Sequence, residues 1–433
     1  KVRVNEPINV TAYTIDQNVP LVLNSAFTVI KSYGKTTLKE KKYFSKEELN
    51  ELFNPIKQYD SRATLEKPNI IILMLESFSV EYIASINRIG NMNTPFLDSL
   101  IDKSLVYTNC YANGKKSIDA VPSVISSLPK LMEQEFITST YSTNKIESLP
   151  KTLNKLGYET SFFHGATNGS MNFDQFSKKV DFDNYYGRTE YNNEADFDGT
   201  WGIFDEEFFI WSAKKMSENS KPFFSTIFSL SSHPPYTIPE KHKNKFVGGE
   251  TEMHNSVKYT DYAIRQFFDF AKKQDWYTNT LFIITADHTP GSGNPEYFKD
   301  MGSMHIPLVF FHPTDTSFKG RSDKVVGQID IMPTILDIIG YNQPFYAFGN
   351  SLLEKKDGMS MVYHNNKYLI YGKGFLLTYQ KDKPLGLYSL NDKLQNPNQL
   401  DEEPKIREYL EQKIKAYIQT YHYDLIHNEM IAE

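Results

Sequence analysis

The sequence predicts an α/β fold: a mostly parallel sheet sandwiched by helices, followed by a small C-terminal antiparallel sheet plus helix. Three observations carry this. Asn69-Ile-Ile-Ile-Leu-Met-Leu75 is a near-continuous apolar run of the length expected for a strand buried on both faces of a parallel sheet. Further short apolar runs alternate with helical segments, the grammar of strand–helix–strand crossovers. From about Tyr346 the pattern changes to closely spaced strand-like pieces that end in one long helical stretch.

Taken in order, residues 1–66 are polar and irregular, with Pro7, Pro20 and Pro55 and one amphipathic segment at Leu21–Ser32. Ser45 followed three residues later by Glu48 is a capping-box signature for a helix start. This stretch reads as an N-terminal connecting arm lying on the main domain. The main domain, residues 67–345, opens with the run at Asn69. Strands are expected again at Glu159–Phe163, Pro222–Leu230 and Thr280–Thr285, each closed by polar residues. Helices are expected around Asn93–Asp102, with Thr94 as cap and Pro95 at the first helical position, and at Ser148–Leu156, stopped by Gly157. Residues 346–433 give four short strands near Met361, Lys367, Gly374 and Gly386, then a helix from about Pro404 to Tyr421. In open sheets of this kind ligands sit beyond the carboxyl ends of the strands.

Composition excludes several classes. With 47 Lys plus Arg against 53 Asp plus Glu, the net charge is −6, and no long basic run marks a nucleic-acid binder. No stretch approaches the roughly 20 apolar residues that span a bilayer. The single cysteine, Cys110, rules out an intrachain disulfide framework and a Cys-based zinc site. Lys1 in place of Met suggests a piece cut from something longer or a processed product.

The chemistry-bearing residues fall at strand ends: Glu76, Ser117 within Asn113-Gly-Lys-Lys-Ser-Ile-Asp119, His233 in Ser-Ser-His-Pro-Pro, and the pair Asp287-His288. Two carboxylates and an imidazole suit one divalent metal ion, Mn²⁺ first, with Zn²⁺ or Mg²⁺ as alternatives, and a hydroxyl in such a shell is acidified into a nucleophile. Singly, each of these residues is as well read as a cap or a turn. Their order along the chain is the stronger signal.

In that order the chain resembles the alkaline phosphatase superfamily, and within it the sulfatase-like family that includes lipoteichoic acid synthases and other phosphoglycerol or phosphoethanolamine transferases. The resemblance covers roughly residues 67–400. Tyr107-Thr-Asn-Cys-Tyr111 is similar to the sulfatase Phe-Thr-Asn-x-Tyr segment, and six residues beyond Tyr111 stands Ser117, where a sulfatase holds its nucleophile. Ile283–His288 is similar to the second metal segment, Gln328–Leu336 to the late helix, and the segment from Leu387 to the C-terminal strand. The resemblance implies a sulfatase-like catalytic domain over 67–345 and a metal shell of Glu76, Ser117, Asp287 and His288. It gives His233 a leaving-group or oxyanion role.

Departures sharpen the expectation. Glu76-Ser77 replaces the arylsulfatase Asp-Asp pair, and Ser117-Ile-Asp-Ala-Val121 lacks the Pro and Arg that direct conversion to formylglycine. A plain Ser117 hydroxyl is therefore expected to act as covalent nucleophile in a metal-dependent phosphoryl-ester transferase or hydrolase. The alternatives are a sulfatase hydrolysing sulfate esters and a non-catalytic ectodomain. Lipoteichoic acid synthases carry Trp-Asn-Arg where this chain has Met171-Asn172-Phe173, which removes the guanidinium that grips phosphoglycerol. Lys116, with Lys115 beside it, His164, Asn172 and His305 are the candidate substrate-binding residues. The implied substrate is a phosphate or sulfate ester, from a membrane phospholipid or an envelope glycan. The implied setting is an extracytoplasmic domain of a membrane-anchored protein.

Overall fold

A computed structural model describes residues 7–12, 37–60, 63–88 and 93–432. The amphipathic segment expected at Leu21–Ser32 lies outside them. Ten strands precede residue 347: β1 Ile56–Lys57, β2 Asn69–Leu75, β3 Leu105–Tyr111, β4 Glu159–His164, β5 Asn184–Tyr186, β6 Phe223–Phe228, β7 Thr280–Ala286, β8 His305–Phe311, β9 Gly320–Gly327 and β10 Phe345–Tyr346. Eight form one sheet in the order β5-β4-β6-β2-β7-β8-β3-β9. β8 is antiparallel to both neighbours and every other pair is parallel.

Every residue of β2, β6 and β7 is buried, because helices cover both faces of the sheet. Two of the strands that sequence reading missed explain themselves. β9, Gly-Arg-Ser-Asp-Lys-Val-Val-Gly, is a polar edge strand exposed along its first half, and β5 is a three-residue edge. Since β8 runs against its neighbours, its first residue, His305, pairs with Tyr111 at the end of β3. The carboxyl ends of β2, β3, β4, β6 and β7 therefore share one edge with the start of β8.

Helix starts follow local chemistry in some places and distant partners in others. Ser45 and Glu48 form the expected capping box of helix Lys46–Leu52. At helix Pro95–Ile101 the Thr94 side chain caps nothing and donates instead to the Tyr82 carbonyl at 3.1 Å. The open N–H groups of Phe96 and Leu97 are taken at 3.0 and 2.8 Å by the Asp261 carboxylate, from the long helix Glu252–Ala271. A cap supplied from 165 residues away is invisible to a local reading.

Beyond residue 346, β11 Met359–His364, β12 Lys367–Gly372, β13 Phe375–Gln380 and β14 Lys383–Ser389 form an antiparallel meander, followed by helix Pro404–His427. The helix runs past Tyr421 to His427. The arm is joined to both halves of the chain. β1 pairs with β10, so the expected division at residue 345/346 falls within a paired strand. The Phe53 ring stacks on Tyr417 at 3.9 Å and on Phe348 at 5.4 Å. No helix among the described residues is long and apolar enough to cross a membrane.

Phe53 is the buried anchor of that junction. Phe53→Ala is expected to lower unfolding free energy by about 3–5 kcal/mol, read from the chemical-denaturation midpoint. A loss within about 0.5 kcal/mol would mean that the arm contributes nothing to the core.

Candidate active site

The strand-end residues meet at the shared edge. β2 and β7 are paired neighbours with Leu75 opposite Ala286, so the residues that follow, Glu76 and Asp287, emerge side by side. Both carboxylates are buried. Ser77 takes a left-handed backbone, φ 54°, and its N–H donates to Asp287 Oδ1 at 2.7 Å while its hydroxyl donates to Glu76 Oε1 at 2.7 Å. The His288 N–H donates to the same Oδ1 at 2.6 Å. Asp287 Oδ2 has no hydrogen-bond partner although it is fully buried.

His288 closes the group. Its Nδ1 faces the Thr289 carbonyl at 3.0 Å, an acceptor only, which assigns the ring proton to Nδ1 and leaves the Nε2 lone pair free. Nε2 stands 3.2 Å from Asp287 Oδ2 and 3.7 Å from Glu76 Oε1. Ligand atoms of Glu76, Asp287 and His288 all lie within 4.8 Å of one another. Burial, then the neighbouring Asp287 carboxylate, hold Glu76 well above the usual carboxylate range. Two buried acids, an orphaned carboxylate oxygen and an imidazole lone pair fit a divalent cation, whose charge would relieve the repulsion.

Ser117 is the first residue of helix Ser117–Ser126, which follows β3 after the turn Ala112–Lys116. Its Oγ lies 3.1 Å from Glu76 Oε2 and 3.4 Å from His288 Nε2. The turn is pinned on both sides. Asn113 donates its side-chain N–H to Met361 O at 2.7 Å and its backbone N–H to Gln328 Oε1 at 2.9 Å. Gln328 Nε2 in turn donates to the carbonyls of Ala286 and Asp287, at 2.8 and 2.7 Å. One amide side chain thus ties the turn that leads to Ser117 to the β7 terminus. At Gly114 an added Cβ would sit 2.1 Å from Asp119 Cβ, so only glycine lets this turn close onto its helix.

The family model for sulfatases matches residues 68–341. The chain belongs to the sulfatase family. It is 27% identical to lipoteichoic acid synthase 1 of Bacillus subtilis over 327 residues, 70% of this chain and 50% of that one. With the lipoteichoic acid synthase of Staphylococcus aureus (strain USA300) it shares 28% identity over 359 residues, 76% of this chain and 55% of that one. It spans about half the length of these curated relatives. Among solved structures, an alkaline phosphatase superfamily protein from Vibrio parahaemolyticus superposes with a TM-score of 0.79 at 24% identity, covering 90% of this chain and 98% of that one. The lipoteichoic acid synthase LtaP from Listeria monocytogenes gives 0.73 at 21% identity, covering 88% and 99%. These two share the fold.

Other expected residues of this sulfatase-family chain are distributed differently. Lys116 points away from the carboxylates and pairs with Glu135 at 2.5 Å. Lys115 turns the other way, donating to the carbonyls of Thr289 and Ser303 at 2.8 Å each, with Thr289 Oγ1 also in contact. Burial pushes its amine down to about 8, partly offset by the Asp287 charge. His305 is held in the sheet. Its Nε2 contacts the Thr108 carbonyl at 2.7 Å and its ring stacks on Tyr111, and burial pushes its pKa down to about 4. His164 is fully buried among Phe162, Phe173 and Phe228, its pKa pushed to about 3 by burial. Asn172 adopts a left-handed backbone and accepts from Asn9 at 3.3 Å.

His233 lies on the turn after β6, its Nδ1 2.8 Å from Pro234 O and its ring 4.3 Å from that of Trp201. Three residues on, Tyr236 has φ 64°, and burial followed by the Glu76 charge raises its hydroxyl pKa. Sequence reading passed over Tyr236 and Gln328, because a tyrosine in a Pro-rich turn and a glutamine before a helix carry no catalytic signature.

Protons and cation compete for Glu76. A carboxyl whose folded pKa is raised favours folding at low pH, and that contribution is lost as pH rises through the raised value, where the cation-free protein carries two repelling charges. Mn²⁺ affinity by calorimetry is therefore expected to fall steadily as pH drops through this range, and saturating Mn²⁺ to raise the melting temperature at neutral pH. Glu76→Gln should abolish both effects. A melting temperature indifferent to Mn²⁺, Zn²⁺ and Mg²⁺ would remove this cluster as a metal site.

Proposed function

We propose that this chain carries the catalytic centre of a metal-dependent phosphoryl-ester transferase of the phosphoglycerol or phosphoethanolamine kind, with Ser117 as covalent nucleophile. Membership of the sulfatase family makes it a phosphotransferase or hydrolase enzyme. The observation that carries the finer reading is the Ser117 hydroxyl, 3.1 Å from a buried carboxylate and 3.4 Å from an imidazole nitrogen, at the first turn of a helix. The lipoteichoic acid synthase relatives support the transferase branch. Ser117-Ile-Asp-Ala-Val121, without the Pro and Arg of a formylglycine signature, supports an unmodified serine.

Glu76, Asp287, His288 and Ser117 would hold the divalent cation, for which Mn²⁺ is the leading candidate with Zn²⁺ or Mg²⁺ as alternatives. When bound, it supplies Lewis acidity that lowers a hydroxyl pKa and polarises an ester oxygen. The chain's own residues do the remainder. Ser117 Oγ gives up its proton and forms a bond to phosphorus as the bond from phosphorus to the leaving alcohol breaks, and the leaving oxygen takes up one proton, so the serine's proton balances the alcohol's. The N-terminal end of the helix, with no side-chain cap, favours the phosphate charge there. Lys115 adds a half-buried positive charge at the Thr289 carbonyl, which His288 Nδ1 also faces. His233, with Nδ1 engaged by Pro234 O, keeps Nε2 for the leaving group or a phosphate oxygen. An acceptor alcohol or water then attacks the Ser117 ester and restores the serine. A membrane phospholipid or envelope glycan is the corresponding substrate class, and an extracytoplasmic domain of a membrane-anchored protein the corresponding setting.

The test is turnover of matched aryl phosphodiester, phosphomonoester and sulfate substrates with each metal. Phosphodiester turnover that needs metal and falls by about four orders of magnitude or more in Ser117→Ala is the expected result. Preferential sulfate turnover, or a formylglycine mass on the Ser117 peptide, would replace this reading with that of a sulfatase.

A further inference from the structure

Where the arm meets helix Pro404–His427 there is a cavity of about 680 Å³, and none of Glu76, Ser117, Asp287 and His288 lines it. Three half-buried lysines reach it: Lys57 from the arm, Lys324 from β9 and Lys413 from the C-terminal helix. Each ammonium donates to one backbone carbonyl. Lys57 Nζ bonds Asn54 O at 2.8 Å, Lys324 Nζ bonds Glu354 O at 2.8 Å, and Lys413 Nζ bonds Leu52 O at 2.6 Å. An ammonium carries three N–H donors, so each retains two that no described protein group takes.

Nor is any of the three ion-paired among the described residues. The acids around the cavity are engaged elsewhere. Glu354 pairs with Lys356 at 3.1 Å, Asp357 with Lys373, and the two Asp330 oxygens accept the N–H groups of Gly327 and Asn350, both at 2.8 Å. Glu51 is an exposed residue of the lining. Aromatic rings give partial compensation: Lys57 Nζ is 5.2 Å from the Phe53 ring and Lys413 Nζ 5.6 Å from that of Tyr409. Burial pushes the Lys57 amine down to about 8 and lowers those of Lys324 and Lys413 as well. Glu354 and Asp330 act on Lys57 and Lys324 only at longer range, with no ion pair closer than 4.0 Å, so half-buried ammonium groups in this cavity can take further acceptor oxygens.

We propose that this cavity is a binding site for a phosphate-bearing ligand, held by Lys57, Lys324 and Lys413. Three positive charges with two open donors apiece suit a tetrahedral oxyanion, which offers more acceptor oxygens than a planar carboxylate. Tyr59 and Tyr417 on the same wall suit a small organic substituent. The phosphate can belong to a soluble ester or to a phospholipid headgroup. The site shares no residue with the Ser117 centre, so neither reading depends on the other.

Selective ¹³C,¹⁵N labelling of lysine lets each unmodified amine be followed by NMR through its Cε and Nζ signals, with Lys57→Met, Lys324→Met and Lys413→Met assigning the three signals. Inorganic phosphate, and separately glycerol phosphate, should shift these signals saturably and raise the Lys57 pKa from about 8. Phosphate binding elsewhere leaves them unmoved. Lys324→Met should weaken binding about tenfold while ester turnover at the Ser117 centre is unchanged. A response to phosphatidylglycerol vesicles but not to phosphatidylcholine vesicles or soluble phosphates assigns the site to headgroups. A response to the soluble compounds alone assigns it to free esters. Silence of all three wild-type signals toward every probe overturns the proposal, as does a Lys57 response unaltered in the Lys324→Met/Lys413→Met double variant.

Discussion

The constraint on which the site depends is the burial of two carboxylates next to each other. The β2–β7 register sets Leu75 against Ala286, and the next residue on each strand is an acid. Paired parallel strands leave Glu76 and Asp287 no way to diverge, and the helices on both faces leave them little water. Their surroundings manage the repulsion without removing it. Two backbone N–H groups converge on Asp287 Oδ1, Ser77 and Ser117 bond Glu76, and Asp287 Oδ2 is left without a partner. The arrangement fits a cation, and the hydroxyl of Ser117 lies at the same point, 3.1 Å from Glu76 Oε2.

Placing that hydroxyl takes more of the fold than the hydroxyl itself. Asn113 and Gln328 link the end of β3, the end of β7 and the meander at Met361 through their side-chain amides. Both side chains are buried, so their hydrogen bonds are made under conditions in which an unmade bond is expensive. Ser117 is therefore fixed relative to the acids by a polar network that spans three elements. Gly114 completes it by letting the turn touch Asp119.

Charge is separated across the molecule in a consistent way. The strand-end edge concentrates buried negative charge, with Lys115 as the nearby cation, whereas the junction of arm and C-terminal helix concentrates lysines whose neighbouring acids are already paired. The same helix, Pro404–His427, stacks Tyr417 on Phe53 and presents Lys413 beside it. The segment that anchors the arm thus also shapes the cavity next to it.

The sequence by itself determined the α/β class, the buried strands β2, β4, β6 and β7, the capped helices at Ser45 and Ser148, and the four residues gathered at the sheet edge. The strands and helix starts rest on short-range signals, apolar runs bounded by polar residues and caps adjacent to the helices they start, whereas the four residues are grouped by the resemblance of their order along the chain to the sulfatase-like family. Tertiary structure decided the rest. Lys115 and Lys116 are adjacent and chemically alike, and only the packing of the turn sends one toward His288 and the other to Glu135. His305 stands at the correct edge, yet the antiparallel course of β8 engages it with Thr108 and Tyr111. The cap from Asp261, the bridge from Gln328 and the grouping of Lys57, Lys324 and Lys413 join residues far apart in the chain. A local pattern encodes which way a backbone runs, whereas the direction of a polar side chain is set by the partners that folding brings within hydrogen-bonding distance.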